Sequence, residues 1–322
     1  MIRRRFLAAT GAAGLASALP FSAIARERPI RIVVPYAAGG PTDSMARLLQ
    51  EPLQRSLDGI VIVENMAGAG GSIGAQNVLN APADGNTLFL GNNGPSAVTP
   101  LLQKSARFDP VKDFVPVGMI AKSTMVLAVS AQVPANDMKS FIAYGRANPG
   151  KLNYASAGVG SLGHLASALV AKEAGLQMTH VPYKGQAPTL QALLANEVQM
   201  LLTTPTAAML DHIANGRIKL IAVTSDTPSP MAPKADLVRQ AIPGFVLYSW
   251  FALMARAGTP DAALAPIRKA LAGALANGEV RKRIEALGVN VDSDGPTQVA
   301  EYIRQDVARW GAIIRDQKLS AD

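Results

Sequence analysis

From Ile30 onward the sequence alternates two textures, and that alternation constrains the fold more than any other feature. Short runs of apolar and β-branched residues at positions 30–35, 60–63 and 87–91 are separated by stretches with apolar residues at helical spacing, such as Met45, Leu48, Leu49 and Leu53. The pattern predicts an α/β protein built on largely parallel sheets. In such folds ligands bind beyond the carboxyl ends of the strands, so the strand-to-helix loops are the places to look.

The first set of elements comprises strands at 30–35, 60–63 and 87–91 and helices at 41–57 and 72–79, with Thr42 or Asp43 able to bond the open amides of the first helix. Residues 95–114 lack periodicity and read as a long connection. A second set follows, with strands at 125–129, 152–156, 178–181, 198–202 and 218–223 and helices at 138–147, 162–174, 189–194 and 207–214. Pro228, Pro230 and Pro233 break the pattern, 245–253 reads as a returning strand, and two helices close the chain. Leu264, Ile267, Leu271 and Leu275 mark the first of these; Val299, Ile303, Val307, Trp310 and Ile314 mark the second. A chain that leaves one domain, builds another and returns predicts two lobes: residues 26–124 plus 253–322, and residues 125–252. The crossings fall near 122–127 and 248–253, and the cleft between the lobes is the expected ligand site.

Residues 1–25 read as a cleaved export signal: Arg3, Arg4 and Arg5 precede an Ala-rich apolar stretch, and Ala23-Ile24-Ala25 is a small-x-small cleavage pattern. The run Arg3-Arg4-Arg5-Phe6-Leu7 also resembles the twin-arginine signal Arg-Arg-x-Phe-Leu, against the plainer reading of a general secretory leader. The expected compartment is the periplasm. The chain of 322 residues has no Cys, which excludes disulfides, thiolate nucleophiles and Cys-ligated metal centres. A net charge of +8 falls by three when the signal leaves, and no block of basic residues remains, so no nucleic-acid partner is expected.

Three loops bear on chemistry. Gly158-Val159-Gly160-Ser161-Leu162-Gly163 matches a dinucleotide fingerprint, but the acidic residue due about twenty positions later is absent, and an exported protein has no supply of that cofactor. What remains is a set of open amides at a helix start, with the Ser156 and Ser161 hydroxyls, suited to an anion. Gly70-Gly71-Ser72-Ile73-Gly74 matches a nucleophile elbow, yet residues 64–69 separate it from its strand and no histidine pairs with Ser72. An exported serine hydrolase is therefore the alternative reading, and an amide-rich loop the preferred one. Residues 35–43 form a third such loop, and Asn92 follows the third strand at the equivalent place. His164, His180 and His212 lack metal-ligand spacing; neither metal nor cofactor is expected. Trp250 reads as a cleft wall or a hinge-packing aromatic.

These loops, in this order, resemble the solute-binding receptors of tripartite tricarboxylate transporters, the Bug family. The likeness runs through Ile32-Val33-Val34-Pro35 with Gly39-Gly40 and Asp43, Val63-Glu64-Asn65 with Gly68-Ala69-Gly70-Gly71, and Pro82-Ala83-Asp84-Gly85. It continues in Pro149-Gly150-Lys151-Leu152-Asn153-Tyr154, His180-Val181-Pro182-Tyr183-Lys184-Gly185 and Ser249-Trp250. The resemblance implies a two-lobed periplasmic-binding-protein fold of the type II kind, each lobe a βα sandwich. It implies a monomeric receptor, not an enzyme, that closes on a small organic carboxylate and delivers it to membrane permease subunits; a ligand sensor for a signalling partner is the variant of that reading. It places the ligand on Tyr36, Ala38, Gly39, Thr42 and Asp43, on Gly68, Ala69 and Gly70, on Asn92, on Ser156, Gly158 and Ser161, and on Thr203. Family members that bind amino acids tend to carry an acidic or amide pair where this chain has Thr203-Thr204. The resemblance therefore implies a mono- or dicarboxylate without an amino group, aromatic acids included.

Overall fold

The computed structural model describes residues 28–103 and 105–318, so the export signal expected at residues 1–25 lies outside the described residues. In chain order the elements are β1 (Ile30–Val34), α1 (Pro41–Leu57), β2 (Val61–Asn65), α2 (Ser72–Asn80), β3 (Thr87–Asn92), α3 (Thr99–Leu102), β4 (Phe114–Thr124) and β5 (Val126–Ser130). Next come α4 (Met138–Ala147), β6 (Leu152–Ser156), α5 (Leu162–Glu173), β7 (Met178–Pro182), α6 (Gln186–Leu194), β8 (Met200–Thr203), α7 (Ala207–Ala214) and β9 (Ile218–Val223). The chain ends with β10 (Asp236–Leu237), α8 (Val238–Ala241), β11 (Tyr248–Arg256), α9 (Asp261–Ala276), α10 (Gly278–Glu285), β12 (Asn290–Val291) and α11 (Pro296–Gln317).

Two six-stranded sheets organise these elements into two lobes, in the orders β12-β4-β11-β3-β1-β2 and β10-β9-β5-β8-β6-β7. Each sheet is covered on both faces, as βα crossovers require. In the first lobe Met45 and Leu49 of α1 join Leu264 and Ile267 of α9 on one face, while Ala75 and Val78 of α2 join Val299 and Ile303 of α11 on the other. In the second, α4 and α5 cover one face through Phe141, Leu165 and Val170, and α6 and α7 cover the other through Leu193 and Met209. Trp310, near the end of α11, leaves its own lobe and packs into the second core with Phe245 and Leu247.

The sheets are mixed rather than largely parallel. β1 pairs in parallel with β2 and β3, and β6 with β7 and β8, but β11 runs antiparallel to β3 and β4, and β5 to β8 and β9. All of β11 lies in the first sheet, so residues 248–252, expected in the second lobe, belong to the first, and the crossing falls at the start of the expected 248–253 segment. The other differences from the sequence pattern also have local causes. β4 is an 11-residue strand, Phe114–Thr124, in a stretch where the sequence pattern assigns no element. Pro116 sits opposite Met254 where the register shifts, a bulge that accommodates a residue without an N–H, and Gly118 leaves room for Leu271. The expected connection at 95–114 begins with a single π-helical turn, Gly94–Val98, that runs straight into α3.

Candidate functional site

A cavity lies between the lobes, walled by the carboxyl ends of β1, β3, β6 and β8 and by residues of β11. Two helices begin at it. Gly40 precedes α1 with no side-chain cap, and Ser44 is the first α1 residue whose amide bonds back, to the Gly40 carbonyl at 2.9 Å. The amides of Thr42 and Asp43 are thus left open at the cavity wall. Opposite, Ser161 caps α5 by accepting the His164 amide at 3.3 Å, leaving the amides of Leu162 and Gly163 open on the other wall. Two helix N-termini from different lobes converge on one space, and each favours negative charge.

The side chains continue that theme with neutral donors. Tyr36 donates its hydroxyl to Asn92 Oδ1 at 3.0 Å and the Gly94 amide donates to the same oxygen at 3.1 Å. With its carbonyl doubly held, Asn92 at the cavity wall keeps its amide N–H groups for other partners. Burial pushes the Tyr36 phenol up, which keeps it neutral and a donor. Thr42, Thr203, Thr204 and Ser249 add hydroxyls, Gln186 donates to the Thr204 carbonyl, and Met125 and Phe251 supply apolar wall. Among the described residues no Lys or Arg lines the space.

The single carboxylate at the wall is already occupied. Asp43 accepts the Gly39 amide at 2.9 Å, the Arg47 guanidinium at 3.0 Å and the Asn65 amide at 3.0 Å. Burial alone would raise its pKa, but these partners outweigh it and hold the carboxyl below its usual range. Asn65 also donates to the Tyr36 carbonyl at 3.0 Å, so Asp43 and Asn65 together fix the loop after β1.

Of the residues singled out in the sequence, Tyr36, Thr42, Asp43, Asn92, Ser156, Ser161 and Thr203 line the cavity. Ala38, Gly39, Gly68, Ala69, Gly70 and Gly158 do not; several lie beside it, where lobe meets lobe. A Cβ on Gly70 would stand 2.1 Å from the Val159 carbonyl oxygen, and one on Gly158 3.1 Å from the Gly70 nitrogen. Here Thr99 donates its hydroxyl to the Gly160 carbonyl at 3.0 Å and Gln103 its amide to that of Val159 at 2.6 Å. On the other flank the Ala37 amide donates to the Lys184 carbonyl at 2.9 Å. The lobes are shut. Gln186, Ser249 and Phe251 were missed as lining residues, although each sits within or directly beside a quoted motif. Trp250 is buried in the first core and donates its indole N–H to Asp306 at 2.7 Å, so it packs near the crossing and does not wall the cavity. Ser72 gives its hydroxyl to the Ala69 carbonyl at 2.9 Å, with no histidine partner.

Among the described residues no group of three or more acidic or histidine side chains could hold a metal ion, and no helix is long and apolar enough to cross a membrane. Residues 45–319 match the family model described as the tripartite tricarboxylate transporter family receptor. The protein BugT of Bordetella pertussis is 33% identical over 313 residues, covering 97% of this chain and 94% of its own. The structure of the periplasmic binding protein BugD superposes with a TM-score of 0.86 at 31% identity, over 91% of this chain and 99% of that one. MatC from Rhodopseudomonas palustris, solved with bound malate, gives 0.85 at 31% identity, over 90% and 99%. With its two mixed sheets, its shut cleft and its likeness to these proteins over nearly its whole length, the chain belongs to the tripartite tricarboxylate transporter receptor family of solute-binding proteins.

Proposed function

We propose that this chain captures a small organic carboxylate lacking an amino group in the cavity between its lobes and presents it to the permease subunits of a tripartite transporter. The carrying observation is the wall itself: open amides of α1 and α5 from opposite lobes, neutral hydroxyl and amide donors between them, and no cationic side chain. Two helix N-termini suit an acid with a carboxylate at each end, and the malate held by MatC is such an acid. Thr203 and Thr204 offer no charge to neutralise an ammonium, and the Asp43 carboxylate is spent on Arg47, Asn65 and Gly39.

In this reading the protein is exported, loses its signal near Ala25, and works in the periplasm as a monomer. Its lobes swing about the crossings at 124–126 and 247–248. Capture is binding, not catalysis. Isothermal titration of the chain from Arg26 onward against malate, succinate, adipate, benzoate and aspartate tests the proposal. At least one of the amine-free acids binds, and aspartate binds at least tenfold more weakly. Failure of all four amine-free acids, or aspartate as the tightest ligand, overturns it.

A further inference from the structure

Behind the second-lobe wall of the cavity lies a pair of stacked histidines that the ligand does not reach. His164 from α5 and His180 from β7 lie face to face, ring centroids 3.9 Å apart and planes 15° from parallel, with Tyr154 of β6 stacked on the His180 side at 5.0 Å. Each ring holds one end of the loop 157–161. His180 Nε2 is 2.7 Å from the Ser156 hydroxyl, whose oxygen accepts the Gly158 amide at 3.2 Å and lies 3.0 Å from the Gly158 carbonyl. His164 Nδ1 accepts the Gly160 amide at 3.2 Å. That same loop carries Ser161 to the cavity and offers the Val159 and Gly160 carbonyls to Gln103 and Thr99 of the first lobe.

We propose that His164 and His180 are positioning residues for ligand capture, holding loop 157–161 in its closing conformation only while the His164 ring is neutral, so that the receptor loosens its ligand as the pH falls. The chemistry is set by one atom. A ring that accepts a backbone N–H at Nδ1 cannot carry a proton there, so protonating His164 removes the acceptor of the Gly160 amide. Protonating both rings places two like charges face to face. The titratable groups facing the pair are Tyr154 from β6, pushed up to about 12 by burial, and from α5 and β7 the two histidines themselves; Lys172 and Glu173 stand at the far end of α5. Burial pushes His164 down to about 4, and burial together with His164 pushes His180 to about 3.

The sign follows. Histidines depressed below their usual value of about 6.5 favour the loop-held form above that value, and the advantage is lost progressively as pH falls below it. A ring that regains an ordinary pKa when the loop is released weakens binding roughly tenfold between pH 7.5 and 5.5. The inference rests on carboxylate capture, and the experiment separates the two. Malate or adipate affinity is measured at pH 7.5 and 5.5 for the wild type and for His164→Gln, whose amide oxygen accepts the Gly160 N–H at any pH. The acid's own titration is common to both proteins, so the wild type must lose several-fold more affinity than the variant. Equal losses refute the inference and leave the capture reading standing. Where neither acid binds but succinate or benzoate does, that acid is used instead; if none of the four binds at pH 7.5 the capture reading fails, and unfolding temperature decides the inference: the drop from pH 7.5 to 5.5 must be smaller in His164→Gln than in the wild type, and an equal drop refutes it.

Discussion

Gly70→Ala tests whether the contact between lobes governs affinity. The added Cβ would lie 2.1 Å from the Val159 carbonyl oxygen, where real contacts keep beyond 3.0 Å, and the left-handed φ of +61° strains an alanine there as well. The lobes must part by about 1 Å at that edge, enough to carry the Thr99–Gly160 and Gln103–Val159 bonds past useful length. Two hydrogen bonds at about 0.5–1.5 kcal/mol each make the closed form about 1–3 kcal/mol less favourable, an affinity loss of roughly 5- to 150-fold. Left-handed strain from the new Cβ affects folding too, so Gly150→Ala serves as the control: its φ is +74° and nothing lies within 4 Å. Calorimetric titration with whichever acid binds the wild type measures the affinities, and thermal unfolding measures the folds. Gly70→Ala with wild-type affinity refutes the reasoning, as does an equal affinity loss in Gly150→Ala.

Other outcomes follow from the same geometry. Affinity should change less than threefold between low and physiological salt, because the donors are buried and none is a cation; a steep decline in a titration series contradicts that. Asn92→Asp should weaken binding at least tenfold at neutral pH while leaving the unfolding temperature within a few degrees, since it sets a carboxylate oxygen in place of an amide donor at the cavity wall. Asp306 accepts the Asn93 amide at 2.6 Å and the Trp250 indole at 2.7 Å; burial outweighs both bonds and raises its pKa. A carboxyl raised by folding loses stability as pH climbs from its unfolded value, about 3.9, through the raised one. Asp306→Asn keeps an acceptor and should remove that decline in denaturant melts, whereas Asp306→Ala strands two buried donors at about 1–3 kcal/mol each.

Much of this architecture was legible in the sequence because strand and helix periods are local. Met45, Leu49 and Leu53 announce the buried face of α1, and Leu264, Ile267 and Leu271 that of α9. β4 escaped because its Pro116 and Gly118 serve a bulge and a close helix contact that only tertiary structure reveals. The site divides along similar lines. Asn92, Ser156 and Thr203 line the cavity because they end strands, and Thr42 because it opens the helix after one, positions that periodicity discloses. Gly70 and Gly158 carry the same small-residue signature for another reason: they allow one lobe's backbone to approach the other's. Composition alone cannot distinguish room for a ligand from room for a second backbone. The pairing of His180 with Ser156, 24 positions apart, likewise depends on strand register between β6 and β7.

The most direct test of carboxylate capture between the lobes is a crystal structure of the protein grown with an amine-free acid that binds in calorimetry. The account predicts the acid inside the shut cleft, with one carboxylate against the Thr42 and Asp43 amides of α1 and, for a diacid, the other against the Leu162 and Gly163 amides of α5. A ligand held by Lys or Arg side chains, or seated outside the space between the two sheets, would contradict it.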